Sequence, residues 1–161
     1  MDGKNEEDYE AMLRLSGIVY RLYGCLRAYV GRRNSQLGLA PLEALTIGTV
    51  AYSPQPLTVA QIGRIHNYPR QSIQRSANSL AEAGLIEIVS NPRHARAPLL
   101  AATSKGLRIA DNTLDNIREL AQALSTEFPA ERASVLADDL LALFLAVDRE
   151  QRQIAAESGT S

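Results

Sequence analysis

The sequence has few of the residues from which disulfide frameworks, zinc sites and aromatic cofactor clefts are built. Its 161 residues contain no tryptophan, one cysteine and two histidines, and aromatic side chains make up 5%. A single cysteine excludes an intrachain disulfide, and the distant His66 and His94 lack metal-ligand spacing. Neither a nucleophile–base pair nor a glycine-rich phosphate loop can be assembled, so we expect no enzyme, no metal and no cofactor.

A leader and a long apolar run are also missing. Residues 1–8 are polar and acidic, unlike a secretory signal. The longest apolar run, residues 140–147, is far shorter than the ~20 residues that span a bilayer. We therefore expect a cytoplasmic protein without a membrane partner.

Charge is unevenly distributed, although the formal net charge is only -1. Residues 57–108 carry seven basic and two acidic side chains, whereas residues 109–161 carry four basic and ten acidic ones. A basic middle segment followed by an acidic helical segment indicates a module that faces a polyanion.

Apolar spacing and capping residues predict helices over residues 9–33 and 41–52, with a disordered segment over 1–8. Thr58 followed by Gln61 predicts a capping box at the start of a helix over 59–66. Asn67 suits the left-handed position after that helix, and Pro69 begins a further helix that Gly84 ends.

The pattern changes after Gly84. Residues 85–89 and 97–102 predict two strands joined by a turn at Asn91 and Pro92. A coiled-coil-like seam predicts a long helix after Thr103, and a last helix over about residues 130–156 has two apolar faces. Such a helix needs partners on both faces, so we infer a homodimer.

This order of elements is typical of a mainly α fold with a small β-hairpin wing, namely a winged helix-turn-helix. We assign residues 41–106 to the DNA-binding lobe and residues 9–40 and 107–157 to a helical dimerisation region. In the helix over 69–84, the apolar residues Ile73, Ala77 and Leu80 are expected to pack on the preceding helix through Val59, Ile62 and Ile65.

The opposite face of that helix has the side chains that read base edges, since arginine pairs with guanine, and glutamine or asparagine with adenine. No acidic residue interrupts this face before Glu82. The wing loop adds basic side chains suited to phosphate or a narrow minor groove. The predicted DNA-binding residues are Arg70, Gln71, Ser72, Gln74, Arg75, Asn78, Arg93, His94 and Arg96.

Residues 57–62, 70–75, 80–86, 91–96 and 103–106 together resemble the multiple-antibiotic-resistance regulator (MarR) family of bacterial transcription factors. The resemblance implies a homodimer with intertwined terminal helices. It also implies a repressor that binds a pseudo-palindromic double-stranded operator and is released by a small, often aromatic or phenolic, effector. Many members carry an Asp-Arg pair in the wing, whereas this sequence has His94 and Ala95 there and retains Arg96.

Three alternatives stay open at the level of sequence. The fold could serve as a protein-interaction module that never meets DNA. Cys25 could make the regulator redox-sensing, but its mid-helix position favours a packed core cysteine. Glycines 17, 24 and 31 recur on one helix face, which is consistent with a close partner helix, with room for an effector, or with chance.

Overall fold

The computed structural model describes residues 3–92, 94 and 96–158. Its helices are α1 (Gly3–Ser35), α2 (Pro41–Tyr52), α3 (Val59–His66), α4 (Arg70–Glu82), α5 (Ser104–Ser125) and α6 (Ala130–Ser158). The strands β1 (Leu57–Thr58), β2 (Ile86–Val89) and β3 (Leu99–Ala102) form an antiparallel sheet in the order β1–β3–β2. The predicted fold class, mainly helical with a small wing, is confirmed.

The chain divides into two compact units, Met1–Arg118 and Glu119–Ser161. The core lies in the first unit, where α2, α3 and α4 pack together with the sheet. The largest fully buried apolar side chains are Ile47, Ile62, Ile73, Leu80 and Leu100. Burial of these side chains removes apolar surface from water and stabilises the lobe that carries α4.

The predicted cap of α3 is confirmed. The Thr58 hydroxyl accepts a hydrogen bond from the Gln61 amide at 3.2 Å, and the Gln61 side chain accepts one from the Thr58 amide at 2.8 Å. Asn67 ends the helix in the left-handed region, at φ 54° and ψ 42°. These local signals fix the tight turn between α3 and α4.

Gly63 and Gly106 are required by close backbone approaches. A Cβ at position 63 would lie 2.8 Å from the Tyr68 carbonyl oxygen, and one at position 106 would lie 1.9 Å from the Leu85 carbonyl oxygen. Thr103 strengthens the second approach, because its hydroxyl donates to the Gly84 carbonyl at 2.8 Å. The first turn of α5 is thereby packed directly against the chain between α4 and β2.

Three sequence-based expectations are corrected. Residues 3–8, predicted to be disordered, form the first turns of α1, while Met1 and Asp2 lie outside the described residues. Ile65, predicted to pack under α4, is 55% exposed. Helix geometry explains this, because Ile65 lies about 160° around α3 from Gly63, the residue that meets the turn before α4.

Cys25 is also exposed, rather than packed in a core. Large exposed apolar side chains are numerous on α6: Val135, Leu136, Leu141, Phe144, Leu145, Val147 and Ile154. None of the helices in the described part of the chain combines the length and the hydropathy that a membrane span requires.

Candidate nucleic-acid interface

Helix α4 has a buried apolar face and an exposed polar face. Ile73, Ala77 and Leu80 are at most 1% exposed, which confirms the predicted packing side. The predicted DNA-binding residues of this helix divide by exposure: Arg70, Gln71, Arg75 and Asn78 are exposed, and Ser72 and Gln74 are half-buried. The basic and amide side chains therefore reach solvent from the side that faces away from the core.

Hydrogen bonds between α2 and α4 hold this orientation. The buried Ser76 hydroxyl contacts the Thr46 hydroxyl at 3.0 Å and the Leu42 carbonyl at 3.2 Å. One oxygen of the Glu43 carboxylate accepts from the Ser79 hydroxyl at 2.6 Å, and the other accepts from the Ala40 amide at 2.7 Å. Glu43 thus caps α2 and fixes α4 with the same carboxylate.

The exposed face of α4 is organised rather than a row of independent side chains. Arg70, Gln71, Gln74 and Arg75 line a shallow cavity of about 650 Å³. At its end, Gln74 Nε2 donates a hydrogen bond to Asn78 Oδ1 at 2.9 Å. The face therefore offers guanidinium and amide groups side by side.

The wing loop joins β2 to β3, and the antiparallel pairing of Val89 with Leu99 closes its base. Asn91 Nδ2 donates to the Ala97 carbonyl at 2.8 Å, and the His94 amide donates to the Asn91 carbonyl at 3.1 Å. His94 and Arg96 are exposed. Arg93, the remaining predicted wing residue, lies outside the described residues.

A second feature is a cavity of about 760 Å³, formed within the first unit by α1, α2, α5 and the turn after α3. Its wall is mostly apolar, with Leu26, Val30, Leu45 and Ile117 among the lining residues. Sequence reasoning did not identify this cavity. Of Gly17, Gly24 and Gly31, which recur on one face of α1, only Gly31 lines this cavity.

Polar groups on the cavity wall connect the surrounding helices. His66 Nε2 lies 2.7 Å from the Thr49 hydroxyl, and burial lowers the pKa of His66. The Tyr52 hydroxyl donates to Asp111 at 2.7 Å, and burial together with this carboxylate raises the pKa of Tyr52. The pKa of Tyr68 is raised mainly by its hydrogen bond with Tyr23 and, to a smaller extent, by burial.

Asn34 completes this wall at the end of α1. It is 1% exposed, and its side-chain oxygen accepts from Asn116 Nδ2 at 3.0 Å. Its own Nδ2 has no hydrogen-bond partner within the part of the chain that the structure describes. The long sequence separation between the two asparagines explains why neither was singled out from the sequence.

Comparison with known sequences matches this lobe to a family. Residues 37–97, which run from the loop between α1 and α2 into the wing, match the sequence model of the MarR family. Over these residues the chain is similar to the MarR family. Members of this family are transcription regulators and not enzymes.

Curated relatives of this chain are proteins of Mycobacterium tuberculosis and Mycobacterium bovis that are described as uncharacterized. They are 44% identical to it over 57 residues, which is 35% of this chain and 40% of each relative. The matched region thus spans less than half the length of these relatives.

Solved structures extend the likeness to most of the fold. A MarR family transcription regulator superposes with a TM-score of 0.78 at 21% identity, over 91% of this chain and 97% of the other. MepR of S. aureus in complex with DNA gives 0.72 at 14% identity, over 81% and 96%. CouR of Rhodococcus jostii bound to p-coumaroyl-CoA gives 0.71 at 17% identity, over 80% and 90%. At these identities the likeness is one of fold.

Proposed function

We propose that the protein is a homodimeric transcription regulator that binds a pseudo-palindromic double-stranded operator. Helix α4 would enter the major groove, and the wing loop, residues 91–96, would contact the DNA backbone or the minor groove. The observation that carries the proposal is the exposed face of α4, where Arg70, Gln71, Arg75 and Asn78 reach solvent together.

The charge of this face favours a DNA-binding surface over an ordinary solvated polar surface. The first acidic residue of α4 is Glu82, at its C-terminal end, so the helix itself contributes no carboxylate to its first three turns. Arginine and amide side chains also match the donors and acceptors of base edges. The structure of MepR with DNA shows that a protein of the same fold binds DNA.

Dimerisation is supported by the apolar surface that one chain leaves in water. Phe144 of α6 is 60% exposed, and Met12 and Leu13 of α1 are 47% and 51% exposed. Exposed apolar patches of this kind mark protein–protein interfaces. Residues 9–40 and 107–157 would form the dimerisation region, and residues 41–106 the DNA-binding lobe.

The cavity between α1, α2 and α5 would receive a small aromatic effector that releases a repressor from its operator. Its volume and apolar lining suit a ligand of this size. The structure of CouR with p-coumaroyl-CoA shows a ligand-bound protein of the same fold. An effector that binds better to a dimer with altered α4 spacing would weaken DNA binding by shifting the population of states.

DNA binding is tested with the full-length protein and labelled duplex DNA in a salt series. Arg70→Ala and Arg75→Ala should each lower the affinity about fivefold or more, because each removes a phosphate or guanine contact. Both residues are exposed, so the melting temperature should change little. Arg149→Ala, which removes an exposed arginine of α6, is the matched control and should keep the wild-type affinity.

Unchanged affinity in both α4 variants would contradict the assignment of this helix. Failure of the wild-type protein to bind any duplex at low ionic strength would favour the protein-interaction module, whose basic face pairs with an acidic protein surface. The melting temperature is measured on the same samples, so an effect on DNA binding can be distinguished from misfolding.

The effector site is tested by a substitution that fills the cavity. Gly48 is half-buried on the cavity wall, and a Cβ there meets nothing within 4 Å. Gly48→Leu should bind duplex DNA as the wild type does. Single-ring aromatic acids and phenols, which should release the wild type from DNA, should no longer release this variant. Release of the variant at wild-type concentrations of these compounds would place the effector elsewhere.

A further inference from the structure

The Gln74–Asn78 hydrogen bond ties together two amide side chains on the face of α4 that the proposed function directs at DNA. The residues are four positions apart, so they are neighbours on the helix surface. Gln74 is half-buried beside the shallow cavity, while Asn78 is exposed, and the bond from Gln74 Nε2 to Asn78 Oδ1 is 2.9 Å long. The glutamine is thereby held in one orientation before any partner arrives.

The chemistry of a primary amide shows what this bond leaves available. Glutamine has one carbonyl oxygen and two N–H donors, and the contact with Asn78 uses one of those donors. The oxygen and one N–H remain on Gln74. Adenine presents a matching pair in the major groove, since its N6 amino group donates and its N7 accepts.

We propose that Asn78 is a positioning residue that holds Gln74 for reading an adenine in each half-site of the operator. This inference rests on the proposed function and adds a base preference to it. Fixing the amide beforehand lowers the rotamer entropy that a long flexible side chain loses on binding. The gain appears only with the matching base, so Asn78 contributes to discrimination at that position.

The experiment is a selection of randomised duplexes by the full-length protein, followed by sequencing of the bound fraction. The wild type should enrich A·T at one position of each half-site, by about tenfold over the other pairs, as expected for one bidentate contact. Gln74→Ala should remove the enrichment at that position only. Asn78→Ala should weaken the enrichment at the same position and leave the preferences at other positions intact.

Asn78→Asp distinguishes positioning from direct contact with a base. The carboxylate still accepts the hydrogen bond from Gln74, so the adenine preference should be retained while the added negative charge lowers affinity for all sequences. If Asn78 itself read a base, this variant would instead favour cytosine, whose amino group donates to carboxylates. Gln71→Ala, another amide on the same face, should leave the position read by Gln74 unchanged.

Several outcomes overturn the inference without touching the proposed function. They are an unaltered base preference in Gln74→Ala, an Asn78→Ala variant that loses affinity equally for all sequences, and loss of two separate base preferences in the two variants. Absence of DNA binding by the wild type overturns the proposed function itself. Circular dichroism melting of each variant excludes unfolding as the cause.

Discussion

His66 and Thr49 form a contact between α3 and α2 whose direction can be worked out from hydrogen bonding. The Thr49 hydroxyl donates its only proton to the Leu45 carbonyl at 2.8 Å, so it must accept from His66 Nε2 at 2.7 Å. The contact therefore selects the tautomer of His66 that carries its proton on Nε2. It lies on the wall of the cavity and next to the turn that leads to α4.

Because burial lowers the pKa of His66 in the folded state, the free energy of unfolding should depend on pH. In the window below the ordinary value of 6.5 and above the lowered value, the unfolded chain binds more protons than the folded one. Stability should therefore fall as the pH falls through this window. Urea titrations at pH 7.5 and pH 5.5 should show a smaller loss in His66→Gln, which retains a donor but does not titrate.

His94→Gln is the matched control, since it removes the other histidine of the sequence, which is exposed in the wing. It should retain the wild-type difference between the two pH values. If His66→Gln retained that difference as well, the pH dependence would originate elsewhere.

The exposed polar face of α4 could be predicted because helical period alone decides which side chains share a face. Arg70, Gln71 and Arg75 follow from that rule once Ile73 and Leu80 are assigned to the core. Pairs such as Asn34 with Asn116 could not be predicted, since their contact depends on how α1 and α5 pack. The exposure of Cys25 was missed for the same reason.

Secondary-structure elements that depend on local sequence signals could likewise be predicted, whereas those that depend on distant contacts could not. Helix α3 was predicted with its correct ends because Thr58, Gln61 and Asn67 are themselves the start and stop signals. Strand β1 was missed because its two residues form a strand only by pairing with β3, more than forty residues away in the sequence. The early start of α1 was missed because its first residues are polar.

Gly106 tests the packing of α5 against the turn before β2. Gly106→Ala should lower the free energy of unfolding by about 3 kcal/mol or more, because its Cβ would overlap the Leu85 carbonyl oxygen. Gly48→Ala is the control in the middle of α2, where a Cβ meets nothing within 4 Å. It should raise the free energy of unfolding by up to about 1 kcal/mol through helix propensity. Equal effects in urea unfolding would contradict the assigned approach.

A single chain leaves many of its large apolar side chains exposed to solvent. In α6, Leu136, Phe144 and Val147 are 43%, 60% and 50% exposed, although they share one side of the helix. Continuous exposure on this scale is costly in water, so we expect the solution state to be a dimer. In the proposed function, the operator symmetry and the spacing of two α4 helices would both depend on this assembly.

Phe144→Asp should weaken or abolish the dimer, because it would bury an unpaired charge at the predicted interface. Ala142→Asp adds the same charge about 160° around α6, on the side away from Phe144, and should leave the dimer intact. Sedimentation equilibrium measures both masses. A dimer of unchanged stability in both variants would exclude this face of α6 from the interface.

The closed base of the wing has a consequence for how the protein could be re-engineered. Because Val89 and Leu99 pair across the hairpin and β3 is flanked on both sides, residues 90–98 can be exchanged without disturbing the strands that support them. Doubling the length of a flexible loop costs only about 0.6 kcal/mol. Longer or shorter tips grafted onto this hairpin would therefore change how far the protein reaches along a duplex while its fold stays the same.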